Sequence, residues 1–380
     1  VNAAPARAQT AGPPPSRLVR RLPLLALALV SLIAGLWAGL LRLGVDLPAF
    51  NWSLVRLHGP LMVFGFLGTQ IGLERAVALR RRWPYLVPAA AGAGSLWLLL
   101  GLPEVVGQAL LAVAGLLLVL VFVVVHRIEP SWHNTIMGLG AASWAVGAIA
   151  WLAGALLIEV VPWLAAFLVL TIVGERLELS RMARPPGQSR LLLLAGVAVF
   201  LGGLVLAWPF PTIGIRIAGA GLVAQVVWLV RCDIARRTIR QQGATRFMAA
   251  ALLAGYAWLG LGGLLWIFGA PLSGGFAYDA MLHTVFLGFV FSMIFAHAPV
   301  IIPAVLGVKL PWRSSFYLPL ALLHGSLVVR IVGDAAQNIQ LWRIGGILGE
   351  VAIVLYLALA ASSAVRAARA PSARPVSAAG

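Results

Sequence analysis

Six histidines carry most of the side-chain chemistry open to this chain: His58, His126, His133, His283, His297 and His324. Each lies in or beside a long apolar run, where an ionisable side chain usually faces a bundle interior, a cavity or a partner. His58 opens one run in the segment Arg56-Leu57-His58-Gly59-Pro60-Leu61-Met62, and His283 opens another in Asp279-Ala280-Met281-Leu282-His283-Thr284. Two neutral imidazoles at matching depth on facing helices suit the axial positions of a six-coordinate haem iron. Gly59, Gly65, Gly68 and Gly288 would leave room for a flat macrocycle, and Phe64, Phe66, Phe286 and Phe289 would pack against it. Arg56 and Arg330, with Arg343, would meet its carboxylates. The competing reading is two interfacial histidines hydrogen-bonded to nearby backbone; the matched placement favours ligation.

His297 lies fourteen residues beyond His283, about 21 Å deeper and on nearly the same helix face. With His324 it forms a candidate second site for haem or a metal such as copper. Glu350 falls at a depth similar to His324, and a lone buried carboxylate is costly unless protonated or paired. A His324–Glu350 contact would resolve that cost and relay protons, or serve only as a structural hydrogen bond. His126 and His133 flank a short loop and are read as solvated. The pairs Glu74-Arg75 and Glu175-Arg176 sit near helix ends and read as internal ion pairs.

These residues need a scaffold, and hydropathy supplies it. A membrane-crossing helix needs about 20 largely apolar residues. Twelve runs meet that template: 22–42, 57–79, 85–102, 105–126, 133–157, 160–180, 190–208, 212–231, 246–268, 279–305, 315–333 and 341–363. Backbone groups in lipid must bond within the segment, so the runs are expected to be helices. The clusters Arg17/Arg20/Arg21, Arg80–Arg82, Arg181/Arg184/Arg190, Arg236/Arg237/Arg240/Arg246, Lys309/Arg313 and Arg366/Arg369/Arg374 alternate with acidic loops holding Asp46, Glu104, Glu159, Asp279 and Asp334. Under the positive-inside rule, twelve spans with both termini cytoplasmic place every cluster on one side. The expected class is therefore an all-α integral membrane protein: one twelve-helix domain over 17–366, in a bacterial-type inner (plasma) membrane. Residues 1–16 and 367–380 are Pro/Ala-rich tails expected to be disordered, and the first run reads as a retained helix. Trp83, Trp132, Trp163, Trp208, Trp312 and Trp342 fall near span ends and read as an interfacial belt.

Composition removes other classes. The chain is 61% hydrophobic with mean hydropathy +0.98 and only 10% charged residues, against about 25% charged in ordinary soluble domains. The formal charge of +17 belongs to the loop clusters, so nucleic-acid binding does not follow from it. A single cysteine, Cys232, excludes an intrachain disulfide and a Cys-rich metal centre.

An internal repeat is also legible. Phe66, Leu67, Ile71, Glu74 and Arg75 recur 101 residues later as Phe167, Leu168, Ile172, Glu175 and Arg176, and Leu57-His58 recurs 225 residues later as Leu282-His283. The second, sixth and tenth runs are four helices apart, which points either to three parallel four-helix repeats or to chance agreement in an apolar sequence.

Twelve runs in four-helix units, with histidines opening runs two and ten, resemble the catalytic subunit of haem–copper oxidases and nitric oxide reductases. That superfamily's His-His pair and copper ligands are missing, and runs six and seven contain no histidine. The chain is more similar to the NnrS-type family of twelve-span haem- and copper-associated membrane proteins, through His58 to Met62 and through His283, Gly288 and Met293. The resemblance implies a haem-binding membrane protein in redox chemistry or nitric oxide response, with haem, copper and a diatomic gas as ligands. Two other functions fit the same sequence. One is a secondary transporter with His324, Glu350 and Gln225 along a mid-membrane path; the other is an assembly factor that handles haem without using it.

Overall fold

The computed structural model describes residues 15–48, 53–181, 187–271 and 273–369. Of the expected disordered tails 1–16 and 367–380, residues 1–14 and 370–380 lie outside the described residues, while 15–16 and 367–369 are helical and continue the first and last helices. Among the described residues the chain is helical, with no strand. Each of the twelve apolar runs forms a helix: α1 Pro15–Arg42, α2 His58–Leu79, α3 Leu86–Leu99, α4 Glu104–Ile128, α5 Trp132–Leu152 and α6 Leu157–Ser180. They continue as α7 Gly187–Leu206, α8 Pro211–Cys232, α9 Gly243–Gly269, α10 Gly275–Pro303, α11 Tyr317–Ala335 and α12 Ile339–Arg369. Eleven are long and apolar enough to cross a bilayer; α3, with 14 residues, is shorter than the ~20-residue requirement. The architecture is that of a multi-pass membrane protein.

Helix ends are set locally. Ser131 caps α5, its hydroxyl accepting from the Asn134 amide, and the Asn338 side-chain oxygen accepts from the amides of Gln340 and Leu341 at the start of α12. Each satisfies amides that a helix start leaves unpaired. Sequence neighbours pack as antiparallel pairs around the molecule, and α12 returns to touch α1.

Three helices fill the middle. The most apolar windows of α2, α6 and α10 are 61%, 78% and 61% buried, and no other span exceeds 56%. α10 touches both α2 and α6, and an Arg75–Glu175 ion pair ties α2 to α6. A helix apolar all round belongs inside a bundle, and α6 meets that description.

α2 and α10 share a second feature. Residues Leu61–Gly68 of α2 and Thr284–Phe291 of α10 are π-helical, each segment eight residues long and each starting within three residues of the run's first histidine. Such wide turns are rare and concentrate at functional sites. They also alter which side chains share a face.

Candidate functional site

His58 begins α2, and its Nδ1 bonds the Gly35 carbonyl of α1 at 2.8 Å. His283 ends the first α-helical stretch of α10, and its Nδ1 bonds the Asp279 carbonyl at 2.9 Å. A carbonyl only accepts, so in both rings the hydrogen is on Nδ1 and the lone pair on Nε2. Neither Nε2 has a hydrogen-bond partner among the described residues. This is the arrangement in which a second-shell bond fixes the tautomer of a metal-binding imidazole.

Both rings line one cavity of about 130 Å³ between α1, α2, α6, α10, α11 and α12. Its walls are mostly apolar, including Met62, Leu164, Phe286 and Ile353. Alone the cavity is smaller than typical small-molecule and cofactor sites, so a large planar ligand would also have to occupy the adjoining space. Beside it lies a vestibule of about 520 Å³ that shares His58, His283 and Arg42 and adds Arg56, Tyr278 and Asp279.

Two glycines bring the walls together. A Cβ on Gly39 of α1 would collide with Glu350 Oε1 and lie 3.1 Å from His58 Cε1, so its absence lets α2 and α12 meet over α1. A Cβ on Gly345 of α12 would collide with the backbone of Arg330. That close approach of α11 to α12 sets the Arg330 guanidinium over the Trp342 ring, 5.6 Å from its centroid. Arg330 then clamps Asp279 through two bonds, Nε to Oδ2 at 2.6 Å and Nη2 to Oδ1 at 2.8 Å. Asp279 Oδ2 also lies 3.3 Å from His283 Nδ1, so Arg330, Asp279 and His283 form one chain of contacts that orients the imidazole.

The cavity thus unites His58, His283, Arg330 and Glu350 from the sequence-derived candidates. Arg56 stands apart in the vestibule, paired with Glu104 on an exposed surface. Arg343 donates to the Gly44 carbonyl at 2.8 Å instead of lining the cavity. His324 is not a cavity residue: its Nδ1 accepts from Trp258 Nε1 at 2.9 Å, so its hydrogen is on Nε2, which is buried without a partner. The expected His324–Glu350 hydrogen bond does not form among the described residues, because Glu350 points toward His58 and α1. His297 bonds the Met293 carbonyl of its own helix through Nδ1 at 2.7 Å. Among the described residues, no three His, Cys, Asp or Glu side chains are grouped to hold a metal ion, and His297 and His324 bond different partners, the Met293 carbonyl and Trp258.

The aromatic expectation changes as well. Of Phe64, Phe66, Phe286 and Phe289, only Phe286 lines the cavity. Phe64 packs against Trp144 and Trp151, and Phe289 lies near Tyr256. Gly65, Gly68 and Gly288 receive Ser31, Trp144 and Trp258 rather than a ligand; only Gly59 of the expected four faces the cavity. The π turns explain the change, since α-helical spacing does not predict their faces. Gln225 bonds its own helix at Gly221.

Sequence reasoning passed over two participants. Arg42 lines both cavity and vestibule, and its proximity to His58 comes from folding. Asp279 was legible: it precedes His283 by four residues, the spacing that stacks side chains on one helix face.

No curated protein and no solved structure matches the chain. One family does, described only as a domain of unknown function, DUF8744, and its match runs over residues 21–365, across all twelve helices. The chain belongs to the DUF8744 family.

Proposed function

We propose that this chain is a haem-binding membrane protein whose α2 and α10 hold one haem between His58 and His283 near the outer side, for redox chemistry or nitric oxide response. The observation that carries the reading is the shared tautomer: both imidazoles donate from Nδ1 to backbone carbonyls and keep Nε2 lone pairs on a common cavity. The rest of the lining fits the group. The apolar walls suit a macrocycle, while Arg42, and Arg330 through its remaining Nη1, provide cations for two carboxylates. Haem iron at this position supplies one-electron exchange. Among the described residues no third His, Cys, Asp or Glu groups with the two histidines, a two-imidazole donor set that suits the axial positions of haem. The protein's own contribution is to hold two rings, exclude bulk water with apolar walls and fix the His283 ring through Asp279.

The reading extends to the scaffold. Three parallel four-helix units, each giving its second helix to the centre, would account for the burial of α2, α6 and α10. Twelve spans with cytoplasmic termini in a bacterial-type plasma membrane would then put both histidines near the outer surface.

A pyridine haemochrome assay with visible spectra of the purified, haem-supplied protein tests the reading. The expected result is a low-spin bis-histidine spectrum, lost in His58→Ala and in His283→Ala while membrane insertion persists. A protein without a Soret band, or variants with unchanged spectra, would overturn it.

A further inference from the structure

The end of the bundle opposite the cavity holds a second polar assembly that the haem reading does not use. Arg75 of α2 pairs with Glu175 of α6, with Glu74 3.9 Å from the same guanidinium. Arg176 of α6 clamps Asp233, in the connection after α8, at 2.6 and 2.8 Å; the two side chains are 3% and 0% exposed. Three carboxylates therefore face two guanidiniums, leaving one negative charge. The Glu74 and Glu175 side chains are 30% and 26% exposed, so the unbalanced charge sits where a proton, a cation or water from the aqueous phase can reach it.

Three polar atoms on helices that pack together at this end have no hydrogen-bond partner. Tyr256 Oη of α9 is fully buried beside the Arg176–Asp233 pair without a bond of good geometry to it. Arg75 Nε is a buried donor without an acceptor. His297 Nε2 is the third: since Nδ1 donates to Met293, Nε2 carries a lone pair and can accept a proton. Burial opposes a charge on this ring; of the charged groups around it, Arg176 opposes a proton, while Glu74 and Asp233 favour one. Glu178 of α6 lies near Arg75 from the exposed side, and from α12 the Tyr356 hydroxyl is already committed to the Phe295 carbonyl at 2.8 Å. Buried polar atoms are nearly always bonded to protein or ordered water, and a buried water characteristically bridges two to four of them.

We propose that this assembly is a hydrated proton-binding site. Internal water joins Tyr256, Arg75 and His297, and one proton taken from the adjacent aqueous phase binds His297 Nε2. It forms a new N–H bond, breaks none in the protein, and brings the assembly from one negative charge to neutral. Glu74 is the carboxylate whose charge the imidazolium offsets, since Glu175 and Asp233 already have guanidinium partners.

The test uses the full chain in detergent or nanodiscs and does not depend on haem. Radiolytic labelling in 18O-water marks residues beside buried water. Tyr256 and His297 should take label, and Phe64, equally buried among aromatic rings, should not; equal labelling of all three, or of none, overturns the hydrated site. 15N-histidine NMR, with the His297 signal assigned by its loss in His297→Gln, reads the proton directly. The wild-type signal should pass between neutral and imidazolium forms as pH falls, and its midpoint should drop by about one pH unit in Glu74→Gln. A wild-type signal that never titrates, or a midpoint that Glu74→Gln leaves in place, overturns the assignment.

Discussion

His283 and His297 sit on one helix, and both rings donate Nδ1 hydrogens to a carbonyl four residues earlier. Their backbone bonds are alike, yet their surroundings differ completely. At His283 the ring lines an apolar cavity that it shares with a second imidazole, His58. At His297 it is buried in a packed region among ion pairs from three other parts of the chain. The lesson is that the backbone bond only fixes the tautomer. What the remaining lone pair meets, empty apolar volume or uncompensated charge, decides between a cofactor ligand and a proton site.

The largest effect that could break this contrast is spectral. His283→Ala should abolish bound haem absorbance, whereas His297→Ala should leave it intact; equal loss in both variants would erase the distinction. Next is stability at the ion-pair end. Asp233→Ala leaves Arg176 buried without its partner and should cost about 3–5 kcal/mol in unfolding free energy, seen as a lower midpoint in a detergent-denaturation series. Asp279→Asn, at the cavity end, should act through position, weakening haem affinity about 10–100-fold by removing the charge between Arg330 and His283; titration of apo-protein with haem measures it. Gly39→Leu should displace His58 and Glu350, with an intermediate loss of affinity in the same titration. The smallest change belongs to the exposed Arg56–Glu104 pair: Glu104→Gln should shift stability by no more than about 1 kcal/mol and leave haem binding unaltered.

The helices were legible because a stretch long enough to span lipid is a one-dimensional signal. α3 stands out because the apolar run over 85–102 loses its ends to Trp83–Tyr85 and to the turn before Pro103. The His58/His283 pair was legible for a related reason, as the same residue type opens two long runs. Side-chain neighbours across helices were not. Depth alone paired Glu350 with His324, but depth does not fix rotation about a helix axis, and Glu350 turns toward α1. Phe64 and Phe289 were misplaced because their stretches are π-helical, which hydropathy does not register. Trp342 read as interfacial belt, yet it lies under Arg330, a contact created by the close approach at Gly345.

The π segments set the angular phase between the two ends of α2. His58 lies before Leu61–Gly68, and Glu74 and Arg75 lie after it. Restoring α-helical turns in that segment at unchanged length would rotate everything beyond it relative to His58, because a π turn holds more residues than an α turn. The histidine would keep its place over the cavity while Arg75 swung away from Glu175. The two sites on this helix are thus coupled by indexing: their relative bearing is written in residues per turn, and tightening the π turns to α turns would uncouple them without changing a single ligand.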